Sequence, residues 1–170
     1  NPEDLSKEKD DEFYALTDQL LSSYERGGVI GFEAIREWVI RRIERRDTQE
    51  TPSYILLEDY FPAYLNSEIE ALKKMFHDWK VSSNDREILE RFHTKKATQL
   101  EKQYVLLLYA QALMGDPLQI RGTDPLAKIQ TALESLTFVP PNDSDDPYEH
   151  FRHHLQKIKH VLENLFSRRK

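Results

Sequence analysis

Apolar residues recur at intervals of three and four along almost the whole of this chain, and no convincing run alternates at intervals of two. That spacing gathers side chains on one face of a helix and would scatter them over both faces of a strand. Residues 11–26 place Phe13, Leu16, Leu20 and Tyr24 on one stripe, and Gly27-Gly28 then stops the helix. A second helix over about 31–46 aligns Phe32, Ile35, Val39 and Ile43. A short helix over 53–60 ends before Pro62, because the residue preceding proline is pushed out of the α region. Proline then suits the start of a helix over about 62–79, with Leu65, Ile69, Leu72, Phe76 and Trp79 facing inward.

The next helical signal opens on Asn84, with Glu87 in place to close a capping box, and runs to residue 114, about 45 Å if unbroken. Its middle is polar nearly all round, which predicts a bend or a projection. Its end, YVLLLYAQALM, is apolar nearly all round and predicts the central buried helix. Two Asp-Pro starts follow, TDPLAKIQTALESL and DDPYEHFRHHLQKIKHVLENLF, each pairing a capping side chain with proline at the first helical position. In the last helix Tyr148, Phe151, Leu155, Ile158, Leu162 and Leu165 form a heptad seam, the pattern of a helix lying along another.

These patterns predict an all-α fold, a single-domain bundle of six or seven helices around one core. At 170 residues with 39% hydrophobic content, one core is sufficient. The domain is expected to span residues 11–170, with residues 1–10 an acidic, mobile N-terminal segment. The longest apolar run, Tyr104 to Ala110, is far too short to cross a bilayer, and NPEDLSKEKDDE lacks the apolar core of a secretory signal.

The absence of cysteine removes disulfides, thiolate metal sites and cysteine nucleophiles, and suits an intracellular, cytoplasmic setting. Neither a serine elbow nor a phosphate-cradling glycine loop is present. His77-Asp78 has the doublet of metal-dependent HD phosphohydrolases, but no histidine precedes it to complete that site. Glu90 and His93 have the spacing of half a di-iron site, with no second copy. The net charge is −6, yet from His150 onward six Lys/Arg face Glu163 alone, so the acidic excess lies on the rest of the chain.

Four of six histidines, His150, His153, His154 and His160, crowd the last helix. With the seam turned inward, His153 and His160 lie opposite it, His150 on the outer side and His154 at the flank. His150 and His154 are spaced to share an ion, but a zinc site wants three or four ligands, and the neighbours Arg152, Lys157 and Lys159 repel a cation. The cluster reads as surface imidazoles sensitive to pH. No metal or other cofactor is expected.

The second helix carries the other candidate. Arg41, Arg42 and Arg45 follow Trp38 by three, four and seven positions, with Arg46 beside them. A large aromatic ringed by guanidinium groups is a composition that interfaces enrich, and arginine also matches phosphate geometry. The structural alternative is that Trp38 caps the core edge and its arginines pair with acids on a neighbouring helix. The function expected is therefore a non-enzymatic protein-interaction module, regulatory, adaptor or assembling, with self-association through 148–165 as a further use of the seam. The alternatives are binding of nucleic acid or an anion through this helix and the basic C-terminus, and a small-ligand or catalytic site in the bundle core near Tyr104, Tyr109 and Gln111.

Overall fold

In the computed structural model the described residues are 2–46, 61–81, 84–114, 131–136 and 146–167. They form α1 (Pro2–Glu25), α2 (Phe32–Arg46), α3 (Phe61–Asp78), α4 (Asp85–His93), α5 (Gln99–Met114) and α6 (Pro147–Ser167). Residues 131–134 are helical as well, and Leu133 reaches the core from them. The fold is all-α, as the periodicity predicts. The short helix expected over 53–60 lies outside the described residues.

The apolar end of the long helical signal is the hub. α5 packs against α1, α2, α3, α4 and α6, and α1–α2 and α4–α6 pair at its sides. Tyr104 to Leu107, Tyr109, Ala110 and Leu113 are buried, which is why this helix is apolar all round and has no solvent face to mark. The predicted stripes of α1 and α2 turn inward: Phe13, Leu20, Tyr24, Phe32, Ile35, Val39 and Ile43 are buried, and Leu16 packs against them half-covered. The α6 seam faces inward too. Phe151 and Ile158 are buried, Tyr148 and Leu155 half-buried, and this part of the seam is taken up by α4 and α5 within the chain.

Three features depart from the expectation. The first helix starts at Pro2, so the acidic stretch assigned to a separate segment continues α1, and Asp10 reaches Arg45 on α2. Proline at the first position followed by Glu3 and Asp4 is a helix start in its own right, with acids where the helix dipole favours them.

The long signal is also broken. α4 ends at His93, and α5 restarts after Thr98, whose hydroxyl accepts from Glu101 N at 3.2 Å while the Glu101 carboxylate accepts from Thr98 N at 2.9 Å. That reciprocal capping box fixes the entry to the central helix. Finally, Trp79 is exposed rather than inward, because α3 stops at Asp78 and the chain turns away from the stripe.

Three of the helix ends share one device. After α1, α3 and α4 the chain bonds back in the double pattern of a Schellman turn, as in Gly28 N to Ser23 O (2.8 Å) and Gly27 N to Tyr24 O (3.0 Å). Gly27 takes the left-handed position, with φ 82°. Gly28 is needed for a different reason, since a Cβ there would lie 2.9 Å from the Ser23 carbonyl oxygen. In the other two turns the left-handed residue is a lysine: Lys80 (φ 55°) and Lys95 (φ 63°). A side chain in that region is strained where glycine is not. Lys80→Gly and Lys95→Gly are each expected to stabilise the fold by about 1 kcal/mol, read as a raised urea midpoint at unchanged slope. The exposed contact of Lys95 to Glu25 (3.4 Å) is too weak to reverse the sign.

Candidate functional site

Helix α2 lies against α1, and this contact decides the fate of its aromatic and arginine flank. Trp38 is fully buried, stacked on Phe13 (ring centroids 5.6 Å apart) with Nε1 donating to Thr17 Oγ1 at 2.9 Å. Thr17 in turn donates to the Phe13 carbonyl at 2.8 Å. The indole therefore presents nothing to a partner. The sequence stripe placed it at the core edge, but α1 covers that edge.

Arg42 is buried as well, 3% exposed. One guanidinium nitrogen donates to Glu68 Oε2 of α3 at 2.8 Å and another to Gln103 Oε1 of α5. Arg45 donates to Asp10 Oδ1 (2.5 Å) and to the Tyr14 hydroxyl (2.6 Å), lying over the Phe13 and Tyr14 rings. Arg41 is exposed and pairs with Glu37 (3.0 Å) and Glu12 (3.7 Å). The Arg46 side chain lies outside the described residues. The flank is thus a set of interhelical struts, the structural alternative raised by the sequence.

A cleft of about 350 Å3 opens between these struts, walled by Asp10, Arg42, Arg45, Glu68 and Gln103 over a floor of Ala71, Leu72, Met75 and Leu100. Its two guanidinium groups already face two carboxylates, so an incoming anion would have to displace Glu68 or Asp10 to bind them.

The tyrosines suggested for a core site are likewise engaged. Tyr104 donates to Asp85 Oδ1 at 2.5 Å, tying α5 to the start of α4, and burial raises its hydroxyl pKa. Gln111 donates to Asn66 across α5 and α3. Glu101, buried in α5, accepts from Arg91 Nε at 2.6 Å beside its own capping role. Neither Glu101 nor Gln103 stood out in the sequence as a buried polar group, although the T-x-x-E of Thr98–Glu101 was a usable signal.

The histidines divide. His153 and His160 are exposed, the latter accepting from Asn164 Nδ2 at 3.2 Å. His154 is not at the flank but inside, 3% exposed. Its ring stacks on Tyr109 (5.7 Å, 29°) and meets Tyr24 edge-on (5.8 Å). His150 is half-buried beside it. The seam read only apolar residues, and an imidazole among aromatic rings behaves as one of them. Burial, then the charges of His150, Lys157 and His153, push the His154 pKa down to about 4. His93, on α4, packs against Tyr24 and Phe92, and burial lowers its pKa too. Among the described residues no group of three or more His, Asp or Glu is placed to hold a metal ion.

One exposed feature remains. Trp79 is 57% exposed and Val81 39%, the two large apolar side chains that the described surface leaves open. The Schellman bonds Val81 N to Phe76 O (2.8 Å) and Lys80 N to His77 O (3.0 Å) hold the backbone that carries them. No described helix is long and apolar enough to cross a membrane. No known protein family matches the chain, and no curated protein or solved structure is similar to it.

Proposed function

We propose that this chain is a non-enzymatic helical interaction module that engages a protein partner through the indole of Trp79, with Val81 beside it. The exposure of Trp79 carries the reading. Among the described residues, a core that buries Trp38 and eight other aromatic side chains leaves this one indole in water. Tryptophan is the side chain most enriched among residues that dominate interface energies, and it does so by filling an apolar pocket on the partner. Held by two backbone hydrogen bonds at a helix end, it loses little freedom on binding.

Two further facts support this over the alternatives. Of the arginines on which nucleic-acid or anion binding would rest, Arg41, Arg42 and Arg45 are matched by Glu12, Glu37, Glu68 and Asp10. The tyrosines considered for a core site bond to Asp85 and Ile30. The cysteine-free sequence fits a partner in a reducing, intracellular setting.

The test is retention of a partner purified on the wild-type chain. Trp79→Ala should weaken its binding by about a hundredfold while leaving stability within about 0.5 kcal/mol. Trp79→Glu should abolish capture, and a photoreactive aromatic at 79 should cross-link to the partner. Undiminished capture by both variants retires the reading.

A further inference from the structure

We infer that the pocket for Trp79 is the cleft beside α3 on a second copy of this chain, each copy inserting its indole into the cleft of the other in a closed two-fold pair. The inference rests on the reading of Trp79 as an anchor and names its partner.

Knob and hole lie on one flank of one helix. α3 supplies Ala71, Leu72 and Met75 to the floor of the cleft, with Leu100 of α5 beside them. Trp79 N donates to Met75 O at 3.0 Å, so the helical path continues one turn past Met75 and residue 79 falls on the same side. At a rise of about 1.5 Å per residue, Trp79 stands about 6 Å along the axis from Met75 and about 12 Å from Ala71. The indole nevertheless lies outside the walls of its own cleft and is 57% exposed. A two-fold axis crossing α3 between knob and hole joins them across two copies. The last turns of the two helices then overlap antiparallel, and each indole covers the Met75 of the other copy.

The lining of the cleft suits an indole. Its volume of about 350 Å3 admits a single two-ring side chain but not an incoming helix. Ala71 is exposed and Met75 and Leu100 are only partly covered, so the floor loses water when an aromatic ring closes over it. The Met75 thioether is polarisable and makes favourable contact with aromatic rings. On the wall, the Arg45 side chain is 23% exposed, and a guanidinium attracts the face of an indole. Asp10, bonded to Arg45 through Oδ1, retains acceptor capacity for the indole N–H.

A second copy accounts for the indole and the cleft together. An isologous contact requires both halves of the interaction on one surface, and this flank of α3 carries both. An unrelated partner would use the indole alone and leave the adjoining apolar floor in water. In the two-fold pair the second insertion follows the first without a further loss of translational freedom, so two modest contacts act as one stronger one.

Sedimentation velocity of the whole chain, from about 1 μM to about 1 mM, should show a monomer–dimer equilibrium. Because Trp38 is fully buried, acrylamide quenching reports chiefly on Trp79 and should fall as the dimer forms. Trp79→Ala removes the knob and Ala71→Phe fills the hole, and each alone should weaken pairing by at least about a hundredfold. Mixing the two variants restores one insertion, the indole of the second in the open cleft of the first. The mixed dimer should therefore be at least about tenfold tighter than either variant forms with itself. Should Ala71→Phe fail to fold, a photoreactive aromatic at 79 decides. In a mixture of isotopically light and heavy chains it should link to the other copy at 71–75 or at Leu100. A chain that stays monomeric, open-ended polymers, no gain on mixing, or links between copies only at other positions would each overturn the exchange. Trp79-dependent capture of a different protein by a monomeric chain would overturn the second copy as partner while leaving Trp79 as an anchor. Self-pairing and capture both indifferent to Trp79→Ala would retire the two readings together.

Discussion

Trp38→Ala is expected to destabilise the fold by about 4 kcal/mol. The indole is fully buried between α1 and α2, so its removal leaves a cavity that two packed helices cannot close by side-chain movement alone. It also strips the stacking partner from Phe13 and the donor from Thr17. Trp38→Phe retains most of the volume and the stack but leaves the Thr17 oxygen without its indole donor, and should lose about half as much. Urea unfolding of the three proteins measures both. Were Trp38 an interface residue instead, the alanine variant would keep its stability and lose only a partner.

Arg42→Ala should follow closely, with a loss of about 3–5 kcal/mol. The guanidinium joins three helices, bonding Glu68 on α3 and Gln103 on α5 from its own place on α2. Removing it alone takes the guanidinium bonds from a largely buried carboxylate and a buried amide, and the penalty is mostly theirs. A replacement of all three by apolar residues, Arg42→Met with Glu68→Leu and Gln103→Leu, should recover most of that loss, because no polar group is then left without a partner. If the triple variant is no more stable than Arg42→Ala, the strut contributes through its shape rather than its charge.

The same two residues show what the chain's pattern could and could not reveal. Local signals located most of the helices: Asp146-Pro147 opens α6 with Asp146 Oδ1 accepting from Tyr148 N at 3.0 Å, Asn84 caps α4, and Gly27-Gly28 closes α1. The stripes of α1, α2 and α6 followed from spacing within one helix. Arg42 did not, because its partners are 26 and 61 positions away and no window contains them. Trp38 was placed at the core edge since a helical wheel does not know how far a neighbouring helix extends over it. His154 escaped notice because the seam was traced through apolar residues alone. Trp79 failed in the opposite direction: the stripe extrapolates past Asp78, but a lysine in the left-handed region ends the helix, and lysine carries no signal for that conformation.

Because α1, α2, α3, α4 and α6 all lean on α5, none of these five stands apart from the central helix. A fragment ending before Gln99 would keep the α1–α2 pair and lose the surface on which α2, α3 and α4 converge. Loop closures between distant segments, such as the one bringing Arg42 to Gln103, must then be completed before any side of the bundle is sealed from water. Folding is thereby tied to synthesis of the central helix, and limited proteolysis within 99–114 should dissolve the whole assembly instead of trimming it.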